Sequence, residues 1–349
     1  MDVELVEVQE SIATVLGEEC PSLAVHAFID GRDALDQRLR TLASELGWLL
    51  IALPEAQGGL GLGAAGLAML HFELGRAVAP GALLGTSIAI EVLAQSASAD
   101  SAVVQQLLAE VTGGTASIAV PARSAPAGTG AIWLLGEEQA AAAIVPGADD
   151  DMVLVDLAGL SPARVAIWDE TRSVVTLDPA GAPVLVALPG ARPLFECLFA
   201  LALAADSAGA AKGVLDRTVA YMKEREQFGR LIGSFQALKH RAADHLVNAT
   251  AAEQLVWQAA DQFGADGEGA LVWSAMAKAN VTEAAARIAG DCVQLHGGVG
   301  YTREYDPQLY LKRVRFNEAL LAPNAVLRDR AEQAFRAGLS SGREMLEIA

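Results

Sequence analysis

Cysteine is scarce in this 349-residue chain, with only Cys20, Cys197 and Cys292, far apart along the sequence. No CxxC pair and no Cys/His cluster links them, so neither a disulfide framework nor a metal centre is expected. Buried free thiols in a reducing compartment are. Basic residues are also short, 25 Lys and Arg against 43 Asp and Glu. The resulting charge of −18 argues against nucleic acid or an anionic membrane surface as a partner. It leaves room for an anionic cofactor, because a local arginine or a helix N-terminus can hold phosphate. The Ala/Leu runs are broken by charges before they reach the roughly 18 residues of a membrane span. The opening MDVELVEVQESIATVL lacks the basic start and long apolar stretch of a signal or transit peptide. The expectation is a soluble, cytoplasmic protein.

Hydrophobic residues, by contrast, make up 52% of the chain and charged residues only 19%. That balance implies a large core or large subunit interfaces, and the length implies two or three packed subregions. Residues 1–113 read as an N-terminal α-helical domain. In LDQRLRTLASELGWLLIAL, Leu39, Leu42, Leu46 and Leu50 share a helical face. A glycine-rich loop, PEAQGGLGLG, precedes a helix from about Ala64 to Arg76. Further helices are expected from Gly85 to Gln95 and from an Asp100 cap to Val111.

Near Gly113 the character changes. TASIAVPA, AIWLLG, AAAAIVPGA, DDMVLVDL, ARVAIWDE, SVVTLD and PVLVAL are short apolar runs punctuated by Gly, Pro and Asp. They predict a small middle β domain over 114–192. From Pro193 onward helix returns, and residues 193–349 read as a helical bundle with three long antiparallel helices. The first is about 33 residues long. The second starts at a Ser234 cap, and the third runs from about Ala270 to His296. The fold class is therefore α+β, with helices, then strands, then helices.

Two segments carry chemistry. In EREQFGRLIGSFQALKH (224–240), Arg225 extends the face of Val214, Thr218 and Tyr221 at a helix end, Phe228 sits in the turn, and Gln236 opens the next helix. A guanidinium, a ring and an amide at one corner suit a phosphate-bearing aromatic ligand, although an ordinary polar turn has the same composition. In QLHGGVGYTREY (294–305), three glycines within four residues follow Gln294 and His296. That pattern is either a helix stop with a satisfied histidine or a backbone stripped for a close approach.

In their order along the chain, PEAQGGLGLG, the small β domain, YMKEREQFGRLIGSFQALKHRAAD and QLHGGVGYTREY resemble the acyl-CoA dehydrogenase family. The resemblance implies FAD as cofactor, an acyl-CoA thioester as substrate and an electron-transfer flavoprotein or similar acceptor. In that family a glutamate removes the α-proton while the β-hydrogen leaves as hydride. The RxxFG and QLHGG segments hold the FAD of a neighbouring subunit. Carried over by motif, Arg225, Gln227, Phe228 and Gln236 become cofactor contacts, as does the track Gln294, Leu295, His296, Gly297 and Gly298. The glycines would then clear the cofactor, with His296 a bystander to the chemistry.

The catalytic pattern fails in this chain. The two positions from which the family supplies its base hold Leu321 and Phe199, and Ala200 stands where many members carry a substrate-binding arginine. The loop that usually covers the flavin ring reads PARSAPAGTG, without the Gly-Ser-Asp. Glu318 and Glu196 lie about one helical turn from the base positions, roughly 5 Å away. These departures resemble the non-catalytic subunit of bacterial α2β2 acyl-CoA dehydrogenases acting on steroid side-chain CoA thioesters. A catalytic partner subunit is then implied. The alternatives are a self-sufficient homo-oligomeric dehydrogenase with a displaced base and a flavin-free scaffold or binding protein of the same fold.

Overall fold

The computed structural model describes residues 3–123, 130–264 and 267–340. Six helices come first: α1 (Val3–Glu19), α2 (Ser22–Ile29), α3 (Leu35–Glu45), α4 (Gly63–Arg76), α5 (Leu83–Gln95) and α6 (Ala102–Thr112). Helix α3 buries Leu35, Leu39 and Ala43 and stops where Gly47 turns left-handed at φ 72°. The longer helix expected here is therefore cut, and Leu46 is left exposed. The cap of α6 is Ser101 and not Asp100: the Ser101 hydroxyl accepts from the Val104 N–H at 3.3 Å.

Each of the seven apolar runs forms one strand. They are β1 (Ile118–Pro121), β2 (Ile132–Leu135), β3 (Ala142–Pro146), β4 (Met152–Asp156), β5 (Ala163–Arg164), β6 (Val174–Leu177) and β7 (Val184–Leu188). The sheet order is β5-β6-β2-β1-β3-β4-β7, antiparallel except for the β1–β3 pair. Alternate residues separate two layers. Ile118, Val120, Ile144 and Leu154 join the main core with the helices, whereas Ala119, Ala143, Val145 and Val155 close a second core on the other face.

The rest is helical. α7 (Arg192–Glu224) is followed by a small hairpin, β8 (Glu226–Gln227) and β9 (Arg230–Leu231). Then come α8 (Gln236–Asp261), α9 (Gly267–His296), α10 (Pro307–Ala319) and α11 (Asn324–Ser340). At about 50 Å, α7 is the spine: it packs on α4, α8, α9 and α10. Alone among the helices of the described residues it is long and apolar enough to cross a membrane, but its apolar stretch is buried in this core. Ser234 does not cap α8. Its hydroxyl donates to the Leu231 carbonyl at 2.7 Å, and the cap position falls on Phe235.

One buried polar cluster joins the three regions. Asp206 of α7 accepts from Arg313 Nε and Nη2 of α10 at 3.0 and 2.8 Å and from Asn317 Nδ2 at 2.7 Å. Arg172, in the loop between β5 and β6, lies 2.9 Å from the same carboxylate. Arg313 Nη1 donates to the Ala79 carbonyl and to the Thr171 hydroxyl. Burial alone would raise the Asp206 carboxyl pKa, but the two arginines outweigh it and hold the group below the usual carboxylate range.

Glu91 of α5 is a second buried carboxylate, paired only to Gln95 Nε2 at 2.9 Å among the described residues. Burial pushes its pKa up to about 7 from 4.5. The native chain thus keeps a proton that the unfolded chain releases between those values. Its contribution is full below the unfolded value and is lost as pH rises through the folded one. At pH 8, Glu91→Gln should be more stable than wild type by ~3 kcal/mol, with the difference vanishing near pH 4.5. Paired urea titrations across that range check it, and a pH-independent difference would refute it.

Candidate functional site

At the end of α7 the chain leaves the helix at Arg225, whose backbone turns extended (φ −76°, ψ 125°). Its N–H donates to the Tyr221 carbonyl at 2.9 Å, and its own carbonyl accepts from the Ile232 N–H at 2.8 Å. These bonds aim the Arg225 side chain outward, exposed and without an ion pair among the described residues. The β8–β9 hairpin turns through Phe228 (φ 55°) and Gly229 (φ 73°), a two-residue turn with both central residues left-handed. For phenylalanine this backbone costs on the order of 1–3 kcal/mol, yet its side chain is 92% exposed. Among the described residues its ring meets only the edge of Phe235, at 6.2 Å, over which the Arg230 guanidinium lies at 3.9 Å. A strained, exposed ring is what a contact outside the chain would require. Gln227 and Gln236 are exposed beside it.

Where α9 ends, Gln294 faces solvent while Leu295 turns inward against Met222 and Ile232. His296 also turns inward. Its Nδ1–H donates to the Cys292 carbonyl at 2.8 Å, which leaves Nε2 as an acceptor. Burial holds its pKa below the ordinary value, so the ring is neutral at physiological pH. It stacks on Tyr221, in the last turn of α7 before the hairpin.

The three glycines differ in what requires them. Gly297 adopts φ 66°, a left-handed conformation that closes the helix, and a Cβ on Gly300 would run into the Val293 carbonyl and His296 Cβ. The chain itself therefore accounts for both. A Cβ on Gly298 would meet nothing within 4 Å, so the chain leaves this open backbone unexplained. Arg225, the amides of Gln227, Gln236 and Gln294, the Phe228 ring and the bare Gly298 backbone form a donor set that fits a pyrophosphate-bearing aromatic cofactor.

The second place of interest is closed. Phe199 is fully buried against Phe195, with ring centroids 5.5 Å apart, and Ala200 is buried beside it. Leu321 is 2% exposed and held at φ 64°; its N–H donates to the Ala122 carbonyl at 2.8 Å, and it bridges to Arg123 in parallel. The loop after β1 and the segment carrying Leu321 are thus hydrogen-bonded to each other. Of PARSAPAGTG, residues 124–129 lie outside the described residues. From α9, the buried Lys278 Nζ pins this junction by donating to the Glu318 and Ala322 carbonyls and to Asn324 Oδ1 at 2.8–2.9 Å. Glu318 pairs with Arg315 at 2.8 Å and Glu196 with Arg330 at 3.0 Å. Beside the junction lies a cleft of about 290 Å³ walled by Trp133, Trp168 and Phe316, with Arg123, Lys312 and Arg315 among its lining residues. No carboxylate lines it among the described residues.

Arg225, Gln227, Phe228 and Gln236 are exposed around the β8–β9 hairpin and Gln294 and Gly298 at the end of α9, while Leu295 and His296 are turned into the chain and pack on Met222, Ile232 and Tyr221 between the two segments. Sequence reasoning missed the Arg230–Phe235 contact and the part Tyr221 plays. The YMKER spacing placed Tyr221 on the right face, but nothing in it indicates a ring stacked on a histidine 75 residues away.

Two family models match, described as the acyl-CoA dehydrogenase N-terminal domain, over residues 3–115, and the acyl-CoA dehydrogenase C-terminal domain, over residues 199–335. The curated acyl-CoA dehydrogenase IpdE2 of Mycobacterium tuberculosis is 34% identical over 329 residues, which is 92% of this chain and 94% of that protein. Among solved structures, a variant of the Tcur3481–Tcur3483 steroid ACAD superposes with a TM-score of 0.84 at 27% identity, over 97% of this chain and 99% of that one. The ChsE4–ChsE5 complex from Mycobacterium tuberculosis superposes with a TM-score of 0.78 at 23% identity, over 99% and 98%, and shows the fold alone.

Proposed function

Since the chain belongs to the acyl-CoA dehydrogenase family, we propose that it is the base-free, cofactor-cradling member of a hetero-oligomeric acyl-CoA dehydrogenase. In this reading a catalytic partner subunit supplies the glutamate and most of the substrate pocket. FAD, when bound, supplies the hydride acceptor for α,β-desaturation of the thioester. Arg225 holds its pyrophosphate, Phe228 and the glutamine amides flank its aromatic and polar edges, and Gly298 lets it pass along the backbone.

The observation that carries this reading is an asymmetry. The positions of the family base are packed into the core and shut by the Leu321–Ala122 hydrogen bond, while the cofactor corner is open and strained. Both nearby carboxylates, Glu318 and Glu196, are held by arginines, which weighs against a displaced base in a self-sufficient enzyme. A steroid side-chain CoA thioester is the substrate class we carry forward, supported by the relative described as a steroid ACAD. An electron-transfer flavoprotein is the proposed acceptor. The division into 1–113, 114–192 and 193–349 belongs to the same proposal.

Purification of the chain alone, and co-expressed with a dehydrogenase-like partner, tests it through flavin absorbance and acyl-CoA-dependent dye reduction. Turnover is expected only from the complex. Arg225→Ala should weaken FAD binding in the complex ~10- to 100-fold, as loss of a charge-assisted phosphate contact implies. Stoichiometric flavin with turnover by the chain alone, or unchanged FAD affinity in the variant, would overturn the reading.

A further inference from the structure

The two segments at the cofactor corner come from different helices and have no covalent reason to keep a fixed spacing. Leu295 packs against Met222 and Ile232 beneath them, and Tyr221 touches both at the surface. The Tyr221 carbonyl accepts the Arg225 N–H at 2.9 Å, the last backbone bond before the chain leaves α7. The Tyr221 ring stacks on His296, with centroids 4.3 Å apart and planes 19° apart. Its hydroxyl donates to the His296 carbonyl, at a long 3.4 Å. Tyr305 closes the group edge-on, 6.4 Å from Tyr221 and 6.3 Å from His296. His296 is in turn fixed on its own helix by the bond from Nδ1 to the Cys292 carbonyl. Gly297 and Gly298 follow it directly, so the position of the imidazole sets the start of the glycine turn.

We propose that the Tyr221–His296–Tyr305 stack is a brace that sets the distance between the Arg225 guanidinium and the open backbone at Gly298. Tyr221 and His296 are positioning residues: they touch no cofactor and act through Arg225 and the turn. This rests on the cofactor-cradling reading above. Three features favour a brace over ordinary packing. The rings join two segments that both face the proposed ligand. The histidine is neutral and hydrogen-bonded at Nδ1, so it is held as a flat, oriented plate. The hydroxyl contact is long, which places the work on ring stacking. A cofactor that spans both segments needs them at the correct separation before it arrives, because ordering them on binding would weaken affinity.

The test uses the complex of this chain with its co-expressed partner, stripped of flavin and titrated with FAD by fluorescence. Tyr221→Ala should weaken FAD binding about tenfold, or ~1.4 kcal/mol, whereas Tyr221→Phe, which keeps the ring, should stay within about twofold. Hydrogen exchange on the chain alone supplies a readout without cofactor. Amides of Gly297–Tyr301 should exchange faster in Tyr221→Ala and at the wild-type rate in Tyr221→Phe. A lower melting temperature with unchanged FAD affinity and unchanged exchange in that turn would reduce Tyr221 to a packing residue and overturn the brace. Arg225→Ala in the same titration separates the two ideas. If it weakens FAD and Tyr221→Ala does not, only the brace fails; if neither does, the cradle fails with it.

Discussion

Asp206→Ala should destabilise the folded chain by ~3–5 kcal/mol, the usual effect of breaking a buried ion pair from one side. The wild-type carboxylate is buried and engages Arg313, Arg172 and Asn317 together. Removing it leaves two buried guanidiniums facing each other with Asp169 as the remaining nearby carboxylate among the described residues, and neither can reach water without opening the core. The same change loosens three regions, because Arg313 also holds the Ala79 carbonyl and the Thr171 hydroxyl. A net stability of about 5–15 kcal/mol makes such a loss visible as a marked fall in the urea midpoint and melting temperature. A change below ~1 kcal/mol would mean that the cluster is not the junction described here. Asp206→Asn, which keeps the shape and part of the hydrogen bonding, should fall between the two.

Restoring a carboxylate at the family's base positions should not restore chemistry to the isolated chain. Leu321→Glu and Phe199→Glu each place an acid where the wild-type side chain is at most 2% exposed. The cost combines lost apolar packing, ~3–5 kcal/mol for a buried phenylalanine, with desolvation that favours the protonated acid. A protonated carboxyl is the wrong state for abstracting an α-proton. At Leu321 the backbone is also held at φ 64° by the bond to Ala122, and Leu321 itself does not line the neighbouring cleft. Both variants should show a lower urea midpoint and no acyl-CoA-dependent dye reduction between pH 6 and about 9, a window chosen to cover both protonation states. Turnover by Leu321→Glu alone would show that this chain holds a complete substrate pocket lacking only its base, and would overturn the assignment of that pocket to a partner.

Much of this molecule was legible because its signals are local. Seven apolar runs between Gly, Pro and Asp became seven strands, and α7 has the anticipated length because a helix apolar on every side must be buried on every side. Boundaries that depend on a single turn were less secure. The helix at Leu39 was read through Gly47, and two caps were assigned to the wrong neighbours, since a cap is chosen by which hydroxyl geometry reaches an open N–H. The motif residues Arg225, Phe228, Gln294 and Gly298 are exposed, and Leu321 and Phe199, where the resemblance would set the family base, are buried; the roles drawn from them belong to the proposal.

The amino-acid sequence by itself determined the element types, the helix–sheet–helix order and the family, because composition, periodicity and motif spacing are properties of neighbours along the chain. Only the tertiary structure decided that the chain itself places nothing against Gly298, that His296 is a packed and neutral ring, and that the loop after β1 is tied to Leu321. It also revealed Asp206 as the junction of three regions and the stack of Tyr221 on His296 between α7 and the end of α9. Those are facts of contact between residues far apart in sequence. A side chain's burial, its charge state and the room around a missing Cβ are set by whatever packs against it.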